Sequence, residues 1–414
     1  MKKIITYILL AICLLLVLCP ALSSCGSSSN EIVLYVYNWG EYISDGSDGS
    51  LDVNKAFEEY CRDELGMNVK VNYSTFSSNE DMYAKVSSGS AVYDVIIPSD
   101  YMIQRMVSEN LLSPLDLSKI PNYQHIAPQF KGENVYYEDD SETIYSVPYF
   151  YGMIGVIYNS EIVSEEDAAK ESWGLLWNEN YARDILQFNN SRDAFGTALY
   201  YLGYDVNEAT DEQWLEALAL LTKQKDLVQG YVMDEIFNKM KSGSAAVAAY
   251  YAGDFISMYE GNDSLAFYYP KEGTNSYVDA MCIPANSTNK DLASIYINFM
   301  CREDIGTANA EYTYYASPLT TVQNNPEYQE CMAKVHPDAI EILYGEKAAS
   351  VKTQAYLNLS PERLSFVNEL WETLKVESSI GPGIYICCTV ILGSIVILAI
   401  AYTIRKRKRA KYYD

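Results

Sequence analysis

In some segments of the chain the hydrophobic residues have the spacing of a strand, and in others they have the spacing of a helix. The two kinds of segment follow one another, which predicts alternating strands and helices. Residues 33–43 (V-L-Y-V-Y-N-W-G-E-Y-I) begin with an apolar run that predicts a strand buried on both faces, as in a parallel sheet. Helical spacing follows at 53–65 and 82–87, whereas 68–73 and 93–97 predict further strands. This order of elements is typical of a parallel α/β sheet.

The second half of the chain continues the alternation. Residues 145–159 predict a long strand whose Pro and Gly residues indicate a crossover between two domains. A short strand is predicted at 185–188, and Asn190 or Ser191 is expected to cap the helix after it. The other predicted elements are helices at 211–222, 236–241, 291–300, 302–312 and 362–375 and strands at 245–251 and 277–284. Two α/β units joined by more than one crossing predict two lobes around a ligand cleft.

Both ends of the chain carry membrane signals. Two lysines precede an apolar run, and the L-S-S-C sequence ending at Cys25 is similar to a bacterial lipobox, so 1–25 is predicted to be a signal peptide with Cys25 lipidated. An uncleaved anchor or an ordinary signal site is the alternative. Residues 384–404 are uncharged and long enough to span a bilayer, and the basic segment 405–414 is then expected in the cytoplasm. The part of the chain between Cys25 and residue 384 is expected at the extracytoplasmic face of the cell membrane. It would be held there by lipid, by this helix, or by both.

The charge of the chain narrows the class of ligand. The formal net charge is −25, and about −32 for the part between the two terminal segments. Such a surface repels nucleic acid and attracts cations. We therefore expect no nucleic-acid partner and favour a cationic ligand, although an acidic surface also serves solubility alone.

Few residues suit catalysis. The chain has only two histidines, His125 and His336, and no nucleophile-elbow, zinc-protease or phosphate-loop motif. We therefore predict a binding protein without catalysis, cofactor or bound metal, with a surface carbohydrate-active enzyme as the less favoured alternative.

Four cysteines, Cys61, Cys282, Cys301 and Cys331, lie between the two terminal segments, and their spacing matches no zinc site. Export permits disulfides, but the sequence predicts no pairing among these cysteines.

Tyrosine is abundant and leaves one metal alternative open. The chain has 38 tyrosines. Some are adjacent in sequence, namely Tyr200-Tyr201, Tyr250-Tyr251, Tyr268-Tyr269 and Tyr314-Tyr315. Paired phenolates ligate ferric iron in some two-lobed proteins, so a receptor for iron or another cation is the alternative within the binding class.

Two predicted strand ends carry the side chains that a cationic ligand requires. Trp39, Glu41 and Tyr42 follow the first strand, and Ser99 and Tyr101 follow the strand at 93–97. Ligands of open α/β sheets bind outside the carboxyl ends of strands. Aromatic rings there would contact methylene groups, and a carboxylate would pair with an ammonium group. The alternative is that the rings belong to the core and that Glu41 is solvated.

Five short motifs follow one another in a distinctive order. They are 37–42 (Y-N-W-G-E-Y), 93–101 (Y-D-V-I-I-P-S-D-Y), 191–195 (S-R-D-A-F), 269–273 (Y-P-K-E-G) and 278–286 (V-D-A-M-C-I-P-A-N). In kind, order and spacing they resemble the bacterial polyamine-binding proteins, the spermidine/putrescine receptors of ABC importers. The resemblance extends from about residue 32 to about residue 375.

The resemblance implies a fold, partners and a set of ligand contacts. The fold is the two-lobed type II periplasmic-binding-protein fold, with lobe 1 expected at 31–146 and 278–322 and lobe 2 at 147–277 and 323–377. The implied partners are a polyamine and an ABC permease with its ATPase. The implied contacts are Trp39, Glu41, Tyr42, Ser99, Tyr101, Asn190, Asp193, Tyr251, Asp254, Tyr277, Asp279 and Tyr315.

The chain departs from the family pattern at several of these positions. Asn190 stands where spermidine-type members have an aspartate, and Tyr251 and Tyr277 stand where the family usually has tryptophan. Asp254 matches an acid of putrescine-type members. The departures leave the preferred polyamine open, and the span at 384–404 is an addition to the soluble family pattern.

Overall fold

The fold is taken from a computed structural model, which describes residues 31–131, 143–376, 390, 393 and 394. The predicted signal peptide, with Cys25, and the basic segment 405–414 lie outside the described residues. The predicted span at 384–404 also lies outside them, apart from Val390, Gly393 and Ser394. In the part of the chain that is described, no helix combines the length and the apolar character needed to cross a bilayer.

Ten strands of the described residues form one mixed sheet. They are β1 (Ile32–Trp39), β2 (Val69–Phe76), β3 (Val95–Ile96), β4 (Ser146–Asn159), β5 (Ile185–Phe188), β6 (Val228–Val232), β7 (Val247–Tyr251), β8 (Leu265–Tyr268), β9 (Thr274–Cys282) and β10 (Thr353–Ala355). The order is β2-β1-β3-β9-β4-β7-β5-β6, with β8 on β4 and β10 on β9.

The long strand β4 links two groups of strands. Its first half pairs antiparallel with β9, and its second half, from Ile154 to Asn159, pairs antiparallel with β7 and β8. On one side β1 lies parallel to β2 and β3, and on the other β5 lies parallel to β6 and β7. Because both groups contain parallel neighbours, each has an edge at which strand ends and following turns meet. The lobe boundaries at 146/147, 277/278 and 322/323 stay a prediction.

Helices cover the sheet and supply most of the remaining core. They are α1 (Val53–Leu65), α2 (Asn79–Ser87), α3 (Asp100–Ser108), α4 (Glu165–Ala168), α5 (Ser191–Leu202), α6 (Asp211–Gln224), α7 (Glu235–Lys241), α8 (Ala252–Gly261), α9 (Lys290–Met300), α10 (Glu303–Thr313), α11 (Thr320–Gln323), α12 (Pro326–Val335), α13 (Ala339–Tyr344), α14 (Glu346–Ser350) and α15 (Pro361–Val376). Fully buried side chains such as Phe57 of α1, Phe255 of α8 and Tyr296 of α9 pack in the same hydrophobic cluster as Leu34 and Val36 of β1.

Most predicted elements are confirmed, with small shifts at their ends. The first strand is parallel to its neighbours as predicted, but burial on both faces is wrong at Tyr35, which is 40% exposed. The strand predicted at 93–97 is limited to Val95–Ile96. The sequence prediction missed three short strands, Val228–Val232, Leu265–Tyr268 and Thr353–Ala355. It also missed several helices, among them Ala252–Gly261, which carries no clear polar stripe.

The cysteines of the described residues are unpaired thiols. Cys61, Cys282 and Cys301 are buried, and Cys331 is half-buried. Burial raises the pKa of Cys61 to about 11 and that of Cys301 to about 12. The disulfides that export would permit are therefore not formed among these four residues.

Candidate functional site

All twelve residues predicted as ligand contacts line a single cavity. They are Trp39, Glu41, Tyr42, Ser99, Tyr101, Asn190, Asp193, Tyr251, Asp254, Tyr277, Asp279 and Tyr315. The cavity has an empty volume of about 840 Å³, including the part open to solvent. The structure thus brings together residues that lie up to 276 positions apart in the sequence, whereas their role in ligand binding stays a prediction.

The turn after β1 supplies one side of the cavity. Trp39 ends the strand opposite Phe76 of β2, and the two rings lie 4.5 Å apart between centroids. Glu41 adopts a left-handed backbone conformation, with φ at 50°, which is uncommon for a residue other than glycine. Glu41 is exposed at this turn, whereas Tyr42 is buried inside the cavity.

Asp279 is a buried acid on this side of the cavity and is held by two hydroxyl groups. An isolated antiparallel bridge places Ser99 beside Asp279 of β9. The Ser99 Oγ donates to Asp279 Oδ1 at 2.6 Å, and the Tyr42 hydroxyl donates to Asp279 Oδ2 at 2.7 Å. Burial raises the pKa of Asp279 to about 6, although both hydrogen bonds act in the opposite direction. Asn79 in turn donates to Ser99 at 3.0 Å, which orients the hydroxyl.

The start of α5 supplies a second acid. Asn190 is the N-cap residue, as predicted, and its Oδ1 accepts from the backbone N–H of Asp193 at 2.8 Å. The same amide donates through Nδ2 to Asp193 Oδ2 at 2.8 Å, and the Tyr251 hydroxyl donates to that oxygen at 2.7 Å. Burial raises the pKa of Asp193 despite these donors. Residue 190 is an asparagine where the family resemblance implies an aspartate. One effect of this difference is therefore a hydrogen bond from Asn190 to Asp193 within the protein.

A third acid lies in the first turn of α8. Asp254 is buried, and its Oδ2 accepts from the Tyr315 hydroxyl at 2.6 Å. Burial raises the pKa of Asp254 to about 8, and the charges of Asp234 and Glu41 act in the same direction. This carboxyl is therefore largely protonated near neutral pH while no cation is beside it.

Aromatic rings line the space between these acids. Tyr42 packs edge-on against Tyr315, with centroids 4.6 Å apart, and Tyr251 packs edge-on against Tyr277, with centroids 5.3 Å apart. Flat apolar faces beside separated carboxylates are suited to a methylene chain with charged ends.

Several lining residues were missed by sequence reasoning. They include Glu80, Asp100, Arg192, Asp234 and Tyr356. Asp100 and Arg192 do stand within two of the recognised motifs, so the signal for them was present. Glu80 lies in the first turn of α2 and Asp234 precedes α7, and neither carries a local signal that separates it from surface acids.

Arg192 gives the cavity a fixed positive charge. Its guanidinium lies 5.1 Å from the ring centroid of Tyr101 and 4.6 Å from that of Tyr356. The side chain also donates to the Leu357 carbonyl at 3.3 Å. The Arg192 charge lowers the pKa of Glu80 and Asp193 and so opposes the effect of burial on both.

The balance of charge in the cavity strongly favours a cation. Arg192 is the only basic residue among the described residues that line it. The acidic lining residues are Glu41, Glu80, Asp100, Asp193, Asp234, Asp254 and Asp279. Burial raises the pKa of most of these carboxyls, that of Asp100 to about 7. A bound cation would relieve this unfavourable concentration of negative charge.

The cavity offers little to a metal ion. Within the described ranges, no group of three or more His, Cys, Asp or Glu side chains is arranged to hold one. The hydroxyls of Tyr251 and Tyr315 donate to carboxylates, and burial raises the pKa of both phenols well above the ordinary value. The phenolate form that ferric iron requires is thus disfavoured in this arrangement, and the iron alternative gains no support.

Comparison with known proteins places the chain among binding proteins. The profile of a family described as bacterial extracellular solute-binding protein matches residues 54–334. The spermidine/putrescine-binding periplasmic protein of Salmonella typhimurium is 30% identical over 78% of this chain and 88% of its own length. The prediction of a binding protein rather than an enzyme is therefore confirmed.

Solved structures agree with this relationship. A structure from Listeria monocytogenes, described as a spermidine/putrescine ABC transporter, has a TM-score of 0.71 at 33% identity, and the match covers 83% of this chain and 98% of that chain. The spermidine/putrescine ABC transporter substrate-binding protein of Streptococcus pneumoniae has a TM-score of 0.65 at 31% identity. The match covers 83% of this chain and 99% of that chain. The predicted α/β periplasmic-binding-protein fold is thereby confirmed, and the chain belongs to the family of bacterial extracellular solute-binding proteins.

Proposed function

We propose that this protein captures a polyamine, spermidine or putrescine, at the extracytoplasmic face of the cell and delivers it to an ABC permease with its ATPase. The observation that carries the proposal is the single cavity in which seven acids and one arginine surround aromatic walls. The relatives named as spermidine/putrescine-binding proteins support the same ligand class.

The chemistry of a polyamine matches the cavity group by group. Each protonated amine requires acceptors when it leaves water, because an unpaired buried charge costs several kcal/mol. Asp279, Asp193 and Asp254 provide separated carboxylates, and each is already oriented by a tyrosine hydroxyl. The methylene segments of the ligand would lie against Trp39 and Tyr251. Binding would thus be driven by charge pairing and by burial of apolar surface.

Isothermal titration of the purified full chain with putrescine, spermidine and spermine tests the proposal. We expect saturable one-to-one binding of at least one of them. Comparison of the three affinities shows which polyamine length the protein prefers. Ferric citrate and a neutral sugar serve as control ligands for the two alternative functions. Binding of a control ligand without any polyamine binding would refute the proposal.

We further propose that the protein is held at the membrane by lipid on Cys25, by a span at 384–404, or by both. The support is the sequence pattern of the two ends. Mass spectrometry of Cys25, and fractionation of Cys25→Ser with and without residues 384–414, separates these anchors. Release of the protein from the membrane only when both ends are altered would indicate double anchoring, whereas release by Cys25→Ser alone would exclude the C-terminal span as an anchor.

A further inference from the structure

A buried asparagine outside the ligand cavity is hydrogen-bonded to the chain just after the turn that follows β1. Asn309 of α10 has no exposed surface, and its Oδ1 accepts from the backbone N–H of Ser44 at 3.0 Å. Ser44 follows Tyr42 by two residues, and its hydroxyl donates to the Leu51 carbonyl at 2.6 Å. Asn309 does not line the ligand cavity, so any effect that it has on a ligand passes through this turn.

A second side chain of the same helix contacts the next residues of the chain. The hydroxyl groups of Tyr312 and Ser47 lie 2.5 Å apart and share a hydrogen bond. Asn309 and Tyr312 are three positions apart in α10, so they lie on the same face of the helix. Helix α10 therefore holds the segment 44–47 at two points.

The same helix also leads into an aromatic wall of the cavity. It ends at Thr313, whose Oγ1 accepts from the backbone N–H of Tyr315 at 3.4 Å. The Tyr315 ring packs edge-on against Tyr42, with centroids 4.6 Å apart, and its hydroxyl donates to Asp254 at 2.6 Å. A displacement of the turn relative to α10 would therefore move two walls of the ligand cavity relative to each other.

Side-chain packing leaves a space beside this arrangement. Asn309, Tyr149 and Phe150 line a small cavity with an empty volume of about 240 Å³. The Tyr149 hydroxyl donates to the Tyr42 carbonyl at 2.8 Å, and Phe150 packs edge-on against the Tyr42 ring. A void removes contacts that would otherwise fix the side chains around it. The position of the turn therefore depends more strongly on its hydrogen bonds.

The amide group of Asn309 keeps an unpaired donor. Its Nδ2 is buried and has no hydrogen-bond acceptor in the part of the chain that the structure describes. A buried donor without an acceptor lowers the stability of the fold. The amide thus disfavours folding through Nδ2 while it fixes the turn through Oδ1. Local features that lower stability are typical of residues that serve function rather than packing.

We propose that Asn309 is a positioning residue for ligand binding, which holds the turn after β1 against α10 and so places Tyr42 correctly before the ligand arrives. This inference rests on the proposed polyamine function and assigns a role to a side chain outside the ligand cavity. Tyr312 supports the same segment from the surface. Without Asn309 the turn would have to become ordered on binding, which lowers affinity although every ligand contact is still present.

Calorimetric titration of the full chain with putrescine and spermidine tests Asn309→Ala against Asn159→Ala. Asn159 is the matched control because it is buried, its Oδ1 accepts a backbone N–H at 2.9 Å, and it does not line the ligand cavity. We expect Asn309→Ala to weaken the tighter-binding polyamine by ~5-fold or more. Asn159→Ala should bind as the unmodified chain does, even where both variants have a lower melting temperature.

Tyr312→Phe is a second variant that removes only a hydroxyl group at the surface. It takes the place of Asn309→Ala if that variant does not fold. We expect it to weaken the same polyamine by ~2- to 3-fold, because one of the two contacts between α10 and the segment 44–47 is lost.

Two further measurements separate positioning from a general loss of stability. Hydrogen exchange in the empty protein should become faster at the amides of 42–47 in Asn309→Ala but not in Asn159→Ala. Tyr42→Phe should lower affinity by a smaller factor in Asn309→Ala than in the unmodified chain. The reason is that a displaced turn no longer aligns the Tyr42 hydroxyl with Asp279.

The outcomes distinguish this inference from the proposed function. Absence of polyamine binding by the unmodified chain would overturn both. Normal binding by the unmodified chain together with unchanged affinity of Asn309→Ala, or of Tyr312→Phe where Asn309→Ala does not fold, would overturn the positioning role alone. Equal losses in Asn309→Ala and Asn159→Ala, or strictly multiplicative losses with Tyr42→Phe, would also overturn it.

Discussion

The hydroxyl group of Tyr42 donates a 2.7 Å hydrogen bond to Asp279, and so connects the turn after β1 to strand β9. Ser99 donates to the other carboxylate oxygen. Asp279 is thus fixed in position by two neutral donors while retaining acceptor capacity for a cation. A carboxylate held in this way needs no rearrangement when a ligand arrives, which favours binding.

Replacement of Asp279 is expected to weaken binding severely. Asp279→Asn keeps the size of the side chain but removes the charge, so polyamine affinity should fall by ~10-fold or more, as for the loss of a charged hydrogen-bonding partner. Isothermal titration measures the change. Asp48→Asn, in the exposed 3-10 turn Ser47–Gly49, is the control and should bind as the unmodified chain does. Equal affinities of the Asp279 and Asp48 variants would exclude Asp279 from the site.

Trp39 is expected to act through its ring. It is half-buried beside Phe76, and its indole N–H has no partner in the described structure. Trp39→Ala removes the apolar wall and should weaken binding by ~10-fold or more, whereas Trp39→Phe should retain much of the affinity. Titration of both variants checks this. A larger loss in Trp39→Phe than in Trp39→Ala would contradict a stacking role.

Binding is expected to depend on pH. In the empty protein the pKa values of Asp279, Asp100 and Asp254 are raised to about 6, 7 and 8. A bound ammonium group favours the ionised carboxylates, so affinity should fall as the pH is lowered from 8 to 5, and binding near pH 7 should release protons. Titrations in buffers with different ionisation enthalpies count these protons. Binding without proton release near pH 7 would contradict the raised pKa values.

The same carboxyls set the pH dependence of stability. Because their pKa values are raised on folding, the folded chain binds more protons than the unfolded chain between the ordinary value of 3.8 and about 8. The contribution of these groups to stability is therefore greatest at low pH and is lost as the pH rises through this window. Thermal unfolding of the empty protein should show this trend, and Asp254→Asn should reduce it. An unchanged trend in that variant would argue against protonation of Asp254.

Asn190→Asp restores the acid of spermidine-type members and tests the departure at this position. The new carboxylate would replace the amide that donates to Asp193 and would repel that residue. We expect the empty variant to be less stable by ~1–3 kcal/mol at pH 7, and a polyamine to restore more stability than in the unmodified chain. Thermal scans with and without spermidine measure both effects.

A matched control is available for this substitution. Asn178 caps the 3-10 turn Glu179–Tyr181 through its side chain and does not line the cavity. Asn178→Asp should therefore leave the effect of spermidine on the melting temperature unchanged. A similar ligand response in both variants would indicate that residue 190 does not influence the bound cation.

Local sequence patterns predicted the elements that place the first side of the cavity. The apolar run of β1 and the turn after it indicated Trp39, Glu41 and Tyr42 because a parallel strand delivers its following residues to one edge of the sheet. Asp193, Asp254 and Asp279 were expected only through the family resemblance. Their surroundings in the sequence are those of many acids in a chain with 55 of them.

The remaining parts of the site depend on tertiary contacts. The approach of Asp234 to Gly40, and the stacking of Arg192 on Tyr101 and Tyr356, join segments that no periodicity relates. Nor does the sequence reveal that the Tyr251 hydroxyl bonds to Asp193 while that of Tyr277 is left unpaired. Hydrogen-bond partners across a cavity are decided by side-chain packing, which local pattern does not encode.

The buried, protonated thiols of Cys61, Cys282 and Cys301 have a consequence for the life of the protein outside the cytoplasm. A chain whose described fold contains no covalent cross-link reaches its native state without an oxidant or a disulfide isomerase. Its thiols are also shielded from attack, because the thiolate is the reactive form. The described fold therefore keeps the same covalent structure in oxidising and in reducing surroundings.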